Sequence, residues 1–246
     1  MKTIWLGVAG AVLLSATAHA APPAGAADVA KAALDYRHAD YAQALVDFRL
    51  GAMKGNAVAE FNLGKMYYQG QGVPRDYAKA FKWYRLAALQ GNADAEIHLG
   101  VMYGLGQGIP QDYAKMFKWS RLAALQGNAY AELGLGIMYH QGQVVPQDYA
   151  KALKWSRLAA LQGDAGAELG LGIMYDQGQG VPQNYVAAYK WLLIAKTGMP
   201  ATDTRYARVT KSVRLVASKM PPAQIAQARQ EASAWFAAHE HAGRMP

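Results

Sequence analysis

Residues 56–91 read NAVAEFNLGKMYYQGQGVPRDYAKAFKWYRLAALQG, and residues 128–163 read NAYAELGLGIMYHQGQVVPQDYAKALKWSRLAALQG. The pattern that they share recurs every 36 residues from about residue 56 to residue 198. Four residue types return in the same register in all four copies: Trp83, Trp119, Trp155 and Trp191; Pro74, Pro110, Pro146 and Pro182; Gly64, Gly100, Gly136 and Gly172; Tyr67, Tyr103, Tyr139 and Tyr175. A fixed period of this length is typical of stacked helical repeats. The sequence therefore predicts four units, at 56–91, 92–127, 128–163 and 164–198.

Each unit is predicted to contain two helices. In the first unit, Ala59, Leu63 and Met66 are spaced as one apolar stripe of a helix. The segment 70–74 then ends that helix with two glycines and a proline. Asp76 lies two residues beyond the proline, where its carboxylate can cap the second helix. The small residues along the helices predict close packing, and the tryptophan of each unit is predicted to fill the space between units.

The full pattern, A-x-x-x-L-G-x-M-Y-x-x-G-x-G-V-P-x-D-Y-x-K-A-x-x-W-x-x-A-A-x-x-G, resembles the Sel-one-like repeat, a relative of the tetratricopeptide repeat. The resemblance covers the four units and implies an all-α fold, a right-handed α-solenoid of antiparallel helix pairs. Three residues depart from the pattern, namely Met116, Val144 and Asn184. Val144 replaces a loop glycine, so it is expected to be strained if the equivalent glycines have positive φ.

The flanking segments are predicted to cap the solenoid. Residues 21–55 contain a degenerate repeat in which Asp47 stands where the tryptophan would be. Residues 199–246 contain two amphipathic segments, which are expected to cover the last repeat as C-terminal capping helices. An end unit lacks one neighbour, so loss of the consensus residues is expected there.

The first 20 residues have the features of a cleaved signal peptide. Lys2 precedes an apolar run over 4–14, and Ala18-His19-Ala20 matches a signal peptidase site. The alternative is a membrane anchor, but the run is much shorter than the ~20 residues that span a bilayer. We therefore expect a mature chain that begins at Ala21, has no transmembrane segment and is periplasmic or secreted.

Composition and motifs argue against several classes of function. The chain has no cysteine, which excludes disulfides, thiolate metal sites and a cysteine nucleophile. It lacks the common serine-hydrolase, zinc-protease and phosphate-loop motifs, and we interpret His239-Glu240-His241 as part of a solvated tail. No catalytic residue, cofactor or metal is expected. The net charge of +8 favours anionic partners, although nucleic acid is disfavoured by the expected export.

One candidate binding surface is the side of the first helices opposite the buried stripe. In the resembling family this helix lines the concave side of the superhelix, where partners bind. The residues at these positions vary between otherwise similar units, and the candidate partner-binding residues are Asn62, Lys65, Asp94, His98, Val101, Leu105, Tyr130, Ile137 and Ile173. The alternative is that the apolar members belong to the core between units. Sequence alone leaves both interpretations open.

A second candidate surface is a row of bases on the second helices: Lys79, Lys82, Arg85, Lys115, Lys118, Arg121, Lys151, Lys154 and Arg157. One interpretation is a solvated outer face that is partly paired with Asp and Glu. The other is a docking surface for an anionic envelope component or an acidic partner.

The resemblance implies a non-enzymatic, exported scaffold or adaptor that binds a protein or peptide partner on its concave face. The alternative is a β-lactam-binding or weakly β-lactam-hydrolysing protein, because some exported members of the family have that property. Those members carry a disulfide in each repeat, whereas this chain has no cysteine. A third interpretation is an immunity or virulence factor that acts on host proteins.

Overall fold

The computed structural model describes residues 26–239, which form twelve α-helices and no strand. The predicted signal peptide at 1–20 lies outside the described residues, as do Glu240 and His241. The helices are α1 (Ala26–Arg37), α2 (Tyr41–Met53), α3 (Ala57–Gln69), α4 (Tyr77–Leu89), α5 (Ala93–Leu105), α6 (Tyr113–Leu125), α7 (Ala129–Gln141), α8 (Tyr149–Leu161), α9 (Ala165–Gln177), α10 (Tyr185–Gly198), α11 (Tyr206–Ala217) and α12 (Pro222–His239).

Consecutive helices pack as pairs, which confirms the predicted α-solenoid. The pairs α3–α4, α5–α6, α7–α8 and α9–α10 form four units, and the second helix of each also packs on the first helix of the next. The first helices α7 and α9 approach each other directly, as do α1 and α3 and also α9 and α11. The second helices of the four units have no comparable contact, so the first helices lie on the inner side of the curve.

Helix ends are fixed by side-chain caps at the same register in every unit. The predicted cap of the second helix is confirmed, since Asp76 Oδ1 accepts a hydrogen bond of 2.9 Å from the Lys79 amide. Equivalent bonds involve Asp112, Asp148 and Asn184, so replacement of Asp by Asn keeps the cap. First helices are capped by Asn56, Asn92, Asn128 and Asp164. These bonds satisfy amides that would otherwise have no partner.

The core of each unit is made of small and medium side chains. In the first unit Leu63, Met66 and Tyr84 are fully buried. A Cβ at Gly64 would lie 2.5 Å from Tyr84 Cδ1, which shows why the helices can pack so closely there. Trp119 is half-buried against a cluster that contains Tyr84 and Leu99, so it joins the first two units as predicted.

The loop of the third unit has its own conformation, and the prediction that Val144 is strained is wrong. Gly72, Gly108 and Gly180 have positive φ, whereas Val144 does not. The Gln107 amide donates to the Met102 carbonyl oxygen at 3.1 Å, and equivalent bonds occur in the first and fourth loops. The third loop lacks that bond. It therefore accommodates the β-branched residue by changing its backbone path.

Helices at both ends cover the repeats. The pair α1–α2 packs on α3, while α11 contacts α10 and α9 as a further first helix would. Helix α12 packs along α10, where the rings of Trp191 and Trp235 are 6.2 Å apart and Lys190 Nζ lies 3.8 Å from Glu231 Oε2. Ile194 is buried there, whereas Leu86, Leu122 and Leu158 at the same register are exposed. Within residues 26–239 no helix is long and apolar enough to cross a bilayer.

Candidate functional site

The inner surface of the first helices carries large apolar side chains that are open to solvent. The exposed fractions are 41% for Val101, 62% for Leu105, 74% for Tyr130 and 45% for Ile137. Ile173 is half-buried and packs partly on the core beneath α9 and α10. Most of the apolar candidate residues are thus available to a partner, while Ile173 also contributes to the packing between units.

The polar candidate residues on this surface are held by contacts within the chain. Asn62 Nδ2 donates to the Val58 carbonyl oxygen at 2.8 Å, and Lys65 Nζ lies 4.7 Å from the centre of the Tyr36 ring. Asp94 is exposed and accepts a hydrogen bond of 3.2 Å from Asn128 Nδ2. These contacts orient the side chains along the inner surface without burying their polar atoms.

His98 belongs to an aromatic cluster between the first two units. The centre of its ring lies 5.4 Å from that of Phe61, 6.5 Å from that of Tyr68 and 5.0 Å from that of Tyr84. Its Nδ1 lies 2.8 Å from the Asp94 carbonyl oxygen. The four rings fill the space between α3, α4 and α5.

At the same place between the third and fourth units there is an open cavity of about 380 Å³, which we call the α7–α9 cavity. The candidate residues Ile137 and Ile173 both line it. Its other walls come from α7, α9, the buried face of α8 and the start of α11, and include Leu133, His140, Ser156, Leu169, Gly170, Arg205 and Arg208. The structure thus brings two of the predicted residues together in one concave site.

The cavity exists because large side chains are replaced by smaller ones at equivalent positions. Two repeats after the aromatic cluster, each of its four residues has a smaller counterpart at the same register. Leu133 corresponds to Phe61, His140 to Tyr68, Ser156 to Tyr84 and Gly170 to His98. His140 keeps the contacts of Tyr68, since its Nε2 lies 2.9 Å from Gln179 Oε1 and its ring packs on Tyr149, as Tyr68 does with Gln107 and Tyr77. A Cβ built on Gly170 meets no atom within 4 Å.

The space between the second and third units is reduced by Met116. Small residues also occur at this register, namely Gly104, Ser120 and Gly134. The thioether of Met116 occupies the place next to Gly104, where a Cβ would overlap its sulfur. The corresponding residue is Ala80 in the first unit and Ala152 in the third. The departure of Met116 from the repeat pattern therefore has a packing role.

Two arginines from the C-terminal cap stand at one end of the α7–α9 cavity. Arg205 forms a bidentate pair with Asp203, with Nη2 to Oδ2 at 2.7 Å and Nε to Oδ1 at 3.0 Å. Hydrogen bonds from the Arg205 side chain and amide lower the pKa of Asp203 to about 2. Arg208 has no ion pair among the described residues, and no acidic side chain lines the cavity there. Arg205 is thus neutralised by Asp203 and also lies near Asp164, so the free positive charge that the described residues place at the cavity is that of Arg208.

Apart from Ile137 and Ile173, the cavity residues were not among the partner-binding residues predicted from the sequence. The repeat register contained a usable signal, because the change from Phe61, Tyr84 and His98 to smaller residues is visible in the sequence itself. Arg205 and Arg208 carried no such signal, since they lie outside the four repeats.

The basic row on the second helices is partly neutralised by the caps. Lys79 pairs with Asp76, Lys115 with Asp112 and Lys151 with Asp148, at distances of 2.7 to 3.1 Å. The same lysines lie over tyrosine rings of the first helices. For these three lysines, the contacts agree with the interpretation of a solvated outer face that is partly paired with acidic residues.

The buried glutamates have structural partners. Glu60 Oε2 accepts a hydrogen bond of 2.6 Å from Gln90 Nε2, and Glu96 and Glu132 repeat the contact with Gln126 and Gln162. Burial raises the pKa of each of these three carboxyls, and the glutamine hydrogen bond opposes the shift. In the part of the chain that the structure describes, no three acidic or histidine residues form a metal-binding group.

Comparisons with known proteins agree with this architecture. The family model described as Sel1 repeat matches residues 57–92, 93–128, 129–164 and 165–197, which is more than half of the chain. A comparison with curated proteins found no match.

Among solved structures, a Sel1 repeat protein from Oxalobacter formigenes is 29% identical, with a TM-score of 0.66 over 78% of this chain and 86% of that one. The c5321 protein, a protective antigen present in uropathogenic Escherichia coli strains and displaying an SLR fold, is 26% identical, with a TM-score of 0.58 over 90% of this chain. This chain spans 57% of the length of c5321. Proteins built from Sel1 repeats are generally scaffolds for protein interactions.

Proposed function

The chain belongs to the Sel1 repeat family, and from that premise we propose that it is a non-enzymatic adaptor that binds a protein or peptide partner on its inner surface. The observation that carries the proposal is the set of exposed apolar side chains on the first helices, including Val101, Tyr130 and Ile137. Solvent-exposed apolar residues grouped on one concave face are characteristic of interaction sites. Their identities change from unit to unit while the buried positions stay nearly constant, so the fold leaves them free to serve a partner.

The test is partner capture with paired variants of the mature chain. Val101→Asp and Ile137→Asp, combined in one chain, place charges on the inner surface at half-exposed positions. We expect this variant to keep its melting temperature within a few degrees, because surface substitutions change stability little. It should no longer capture the proteins that the wild-type chain captures from an envelope extract.

Ala114→Asp, at an exposed position of α6, is the matched control and should capture the same proteins as the wild type. If the inner-surface variant captures the same proteins, the partner binds elsewhere, and the basic row becomes the leading surface. If the variant unfolds, the two positions belong to the core and the assignment of the inner surface is wrong.

We also propose that the adaptor acts outside the cytoplasm. The support is the sequence of residues 1–20, with its apolar run and the Ala18-His19-Ala20 site. Intact-mass measurement of the protein from an envelope fraction should give a chain that begins at Ala21. A chain that retains Met1 in that fraction would contradict cleavage.

A further inference from the structure

We propose that the α7–α9 cavity binds a peptide segment in which a large apolar side chain stands next to an acidic side chain. This proposal rests on the proposed partner-binding function and names the part of the inner surface that selects the partner. Three observations support it: the origin of the cavity, its apolar lining and its charge.

The first observation is that the repeat fold itself does not require the cavity. The equivalent space between the first two units is filled by Phe61, Tyr68, Tyr84 and His98, so the same helix packing tolerates a closed junction. In the fourth unit, Gly170 lies at the position that corresponds to His98, in the interior of α9. Glycine destabilises a helix interior relative to alanine, and here no neighbouring atom excludes a side chain. No contact with a neighbouring atom therefore requires a glycine at this position.

The second observation is the lining. Leu133, Ile137, Leu169 and Ile173 supply apolar walls, and a volume of about 380 Å³ lies in the range of ligand pockets. These four side chains favour an apolar side chain of the partner over a polar one, because they offer it no hydrogen bonds. The aromatic residues that fill the equivalent junction of the first two units indicate what kind of side chain fits.

The third observation is the charge at the cavity end. Arg208 has no acidic partner among the described residues, while Arg205 is held in place by Asp203. Arg205 extends across Gly166, since a Cβ at that position would lie 2.6 Å from its Nη1. A guanidinium without a partner binds a carboxylate through charge-assisted hydrogen bonds. The ligand therefore carries an acidic group on the side of the apolar residue that faces α11.

A peptide fits this site better than an isolated small molecule because the cavity opens onto a longer apolar surface. Ile137 belongs both to the cavity lining and to the exposed inner surface, which continues to Val101 and Leu105. A segment anchored in the cavity can lie along that surface and contact the preceding units.

The first experiment uses a random peptide library displayed on phage, selected on the mature chain and counter-selected on Gly170→Leu. The leucine fills the cavity from a position where the structure has room for it. We expect enriched peptides with Trp, Phe or Leu next to Asp or Glu, and at least roughly ten-fold weaker binding of these peptides to Gly170→Leu. Gly170→His, which restores the residue of the second unit, should have the same effect.

The second experiment tests the charge. An enriched peptide is synthesised with amidated and acetylated ends, in its acidic form and with the acid replaced by its amide. Titration calorimetry should give roughly ten-fold tighter binding of the acidic form to the wild type, and nearly equal binding of both forms to Arg208→Gln. A free carboxyl terminus on the amide form should not restore binding if an acidic side chain is the ligand.

The outcomes distinguish this proposal from the proposed function. If no peptide with the expected pattern is enriched, or if enriched peptides bind Gly170→Leu as tightly as the wild type, the cavity is not the selective site. If the enriched peptides bind Gly170→Leu normally but no longer bind Val101→Asp, the inner surface still binds partners without using the cavity. Both Gly170 variants should melt no lower than the wild type, and a lower melting temperature for both would mean that the junction cannot be filled and the space is not an open cavity.

Discussion

Val144 shows at the scale of one residue how a repeat tolerates a departure from its pattern. Gly108 and Gly180 approach the backbone of Tyr77 and Tyr149 in the preceding units, so closely that a Cβ would overlap it. Val144 has no positive φ, and Tyr113, the corresponding residue of the preceding unit, is more exposed than Tyr77 and Tyr149. The loop of the third unit therefore stands away from its neighbour, which relieves the clash that a β-branched residue would cause.

The first prediction is that Val144→Gly lowers the free energy of unfolding by about 0.5–1 kcal/mol. Glycine adds conformational freedom to the unfolded chain, while the native backbone at this position does not need it. Urea denaturation measures the change, and Val144→Ala is the control that removes side-chain packing but keeps most of the backbone restriction. A more stable Val144→Gly variant would mean that the loop converts to the conformation of the other three units.

Glu96 gives the second prediction, on the pH dependence of stability. Burial raises the pKa of its carboxyl above the usual value of 4.5, so the folded protein holds the proton to a higher pH than the unfolded chain does. As pH rises from 4.5 through the folded-state pKa, the unfolded chain ionises first and this group's contribution to stability falls. Glu96→Gln keeps an oxygen that can accept from Gln126 and removes the ionisation.

Urea denaturation of Glu96→Gln between pH 4 and pH 7 should therefore show a shallower fall in stability than the wild type. Glu132→Gln should give the same change, because Glu132 has the equivalent bond to Gln162. An unchanged slope in both variants would show that the carboxyls ionise as easily in the folded protein as in the unfolded chain.

At the scale of helices, the sequence was sufficient to predict the four helix pairs and the caps of the second helices. The 36-residue period and the Asp76 register determine these features locally, so no tertiary information was needed. The same sequence predicted that Val101 and Ile137 belong either to a groove or to the core. That question depends on how adjacent units curve, which a periodic pattern does not contain.

The α7–α9 cavity could be predicted only in part, because it too depends on how adjacent units and their side chains pack. The smaller residues at Leu133, Ser156 and Gly170 can be read from the repeat register. The same loss of bulk occurs at Gly104 and Ser120, where the side chain of Met116 fills the space. Whether a junction is open thus depends on the rotamers of neighbouring side chains and on the position of α11, which brings Arg205 and Arg208 to the cavity.

The third prediction concerns the contact of α12 with α10. Trp235 is nearly buried against Trp191, and its loss would expose the apolar surface around Ile194. Trp235→Ala should therefore lower the free energy of unfolding by about 3 kcal/mol. Gln230→Ala, at an exposed position of the same helix, is the control for helix formation. Equal melting temperatures for the two variants would contradict a capping role for α12.

At the scale of the whole molecule, stability is distributed over contacts between neighbours. The main contacts of each described helix are with helices one or two positions away along the chain. The folding energy of such a solenoid is close to a sum of unit and interface contributions. A weak interface in the middle therefore divides the molecule, whereas a weak interface at one end only frays it.

The last prediction follows from that difference. Trp119 packs from α6 against the buried cluster that includes Tyr84 and Leu99, so it links the first two units. Because it is half-buried, Trp119→Ala should cost near the lower end of the ~3–5 kcal/mol typical of such truncations. It should also separate the unfolding of the N-terminal helices from that of the rest. Urea curves followed by far-ultraviolet circular dichroism and by hydrogen exchange of the N-terminal helices should then no longer coincide, whereas in Trp235→Ala only the amides of α12 should exchange ahead of the rest. Coincident curves for Trp119→Ala would mean that the units remain coupled through the packing of α4 on α5, and that the tryptophan adds stability without controlling cooperativity.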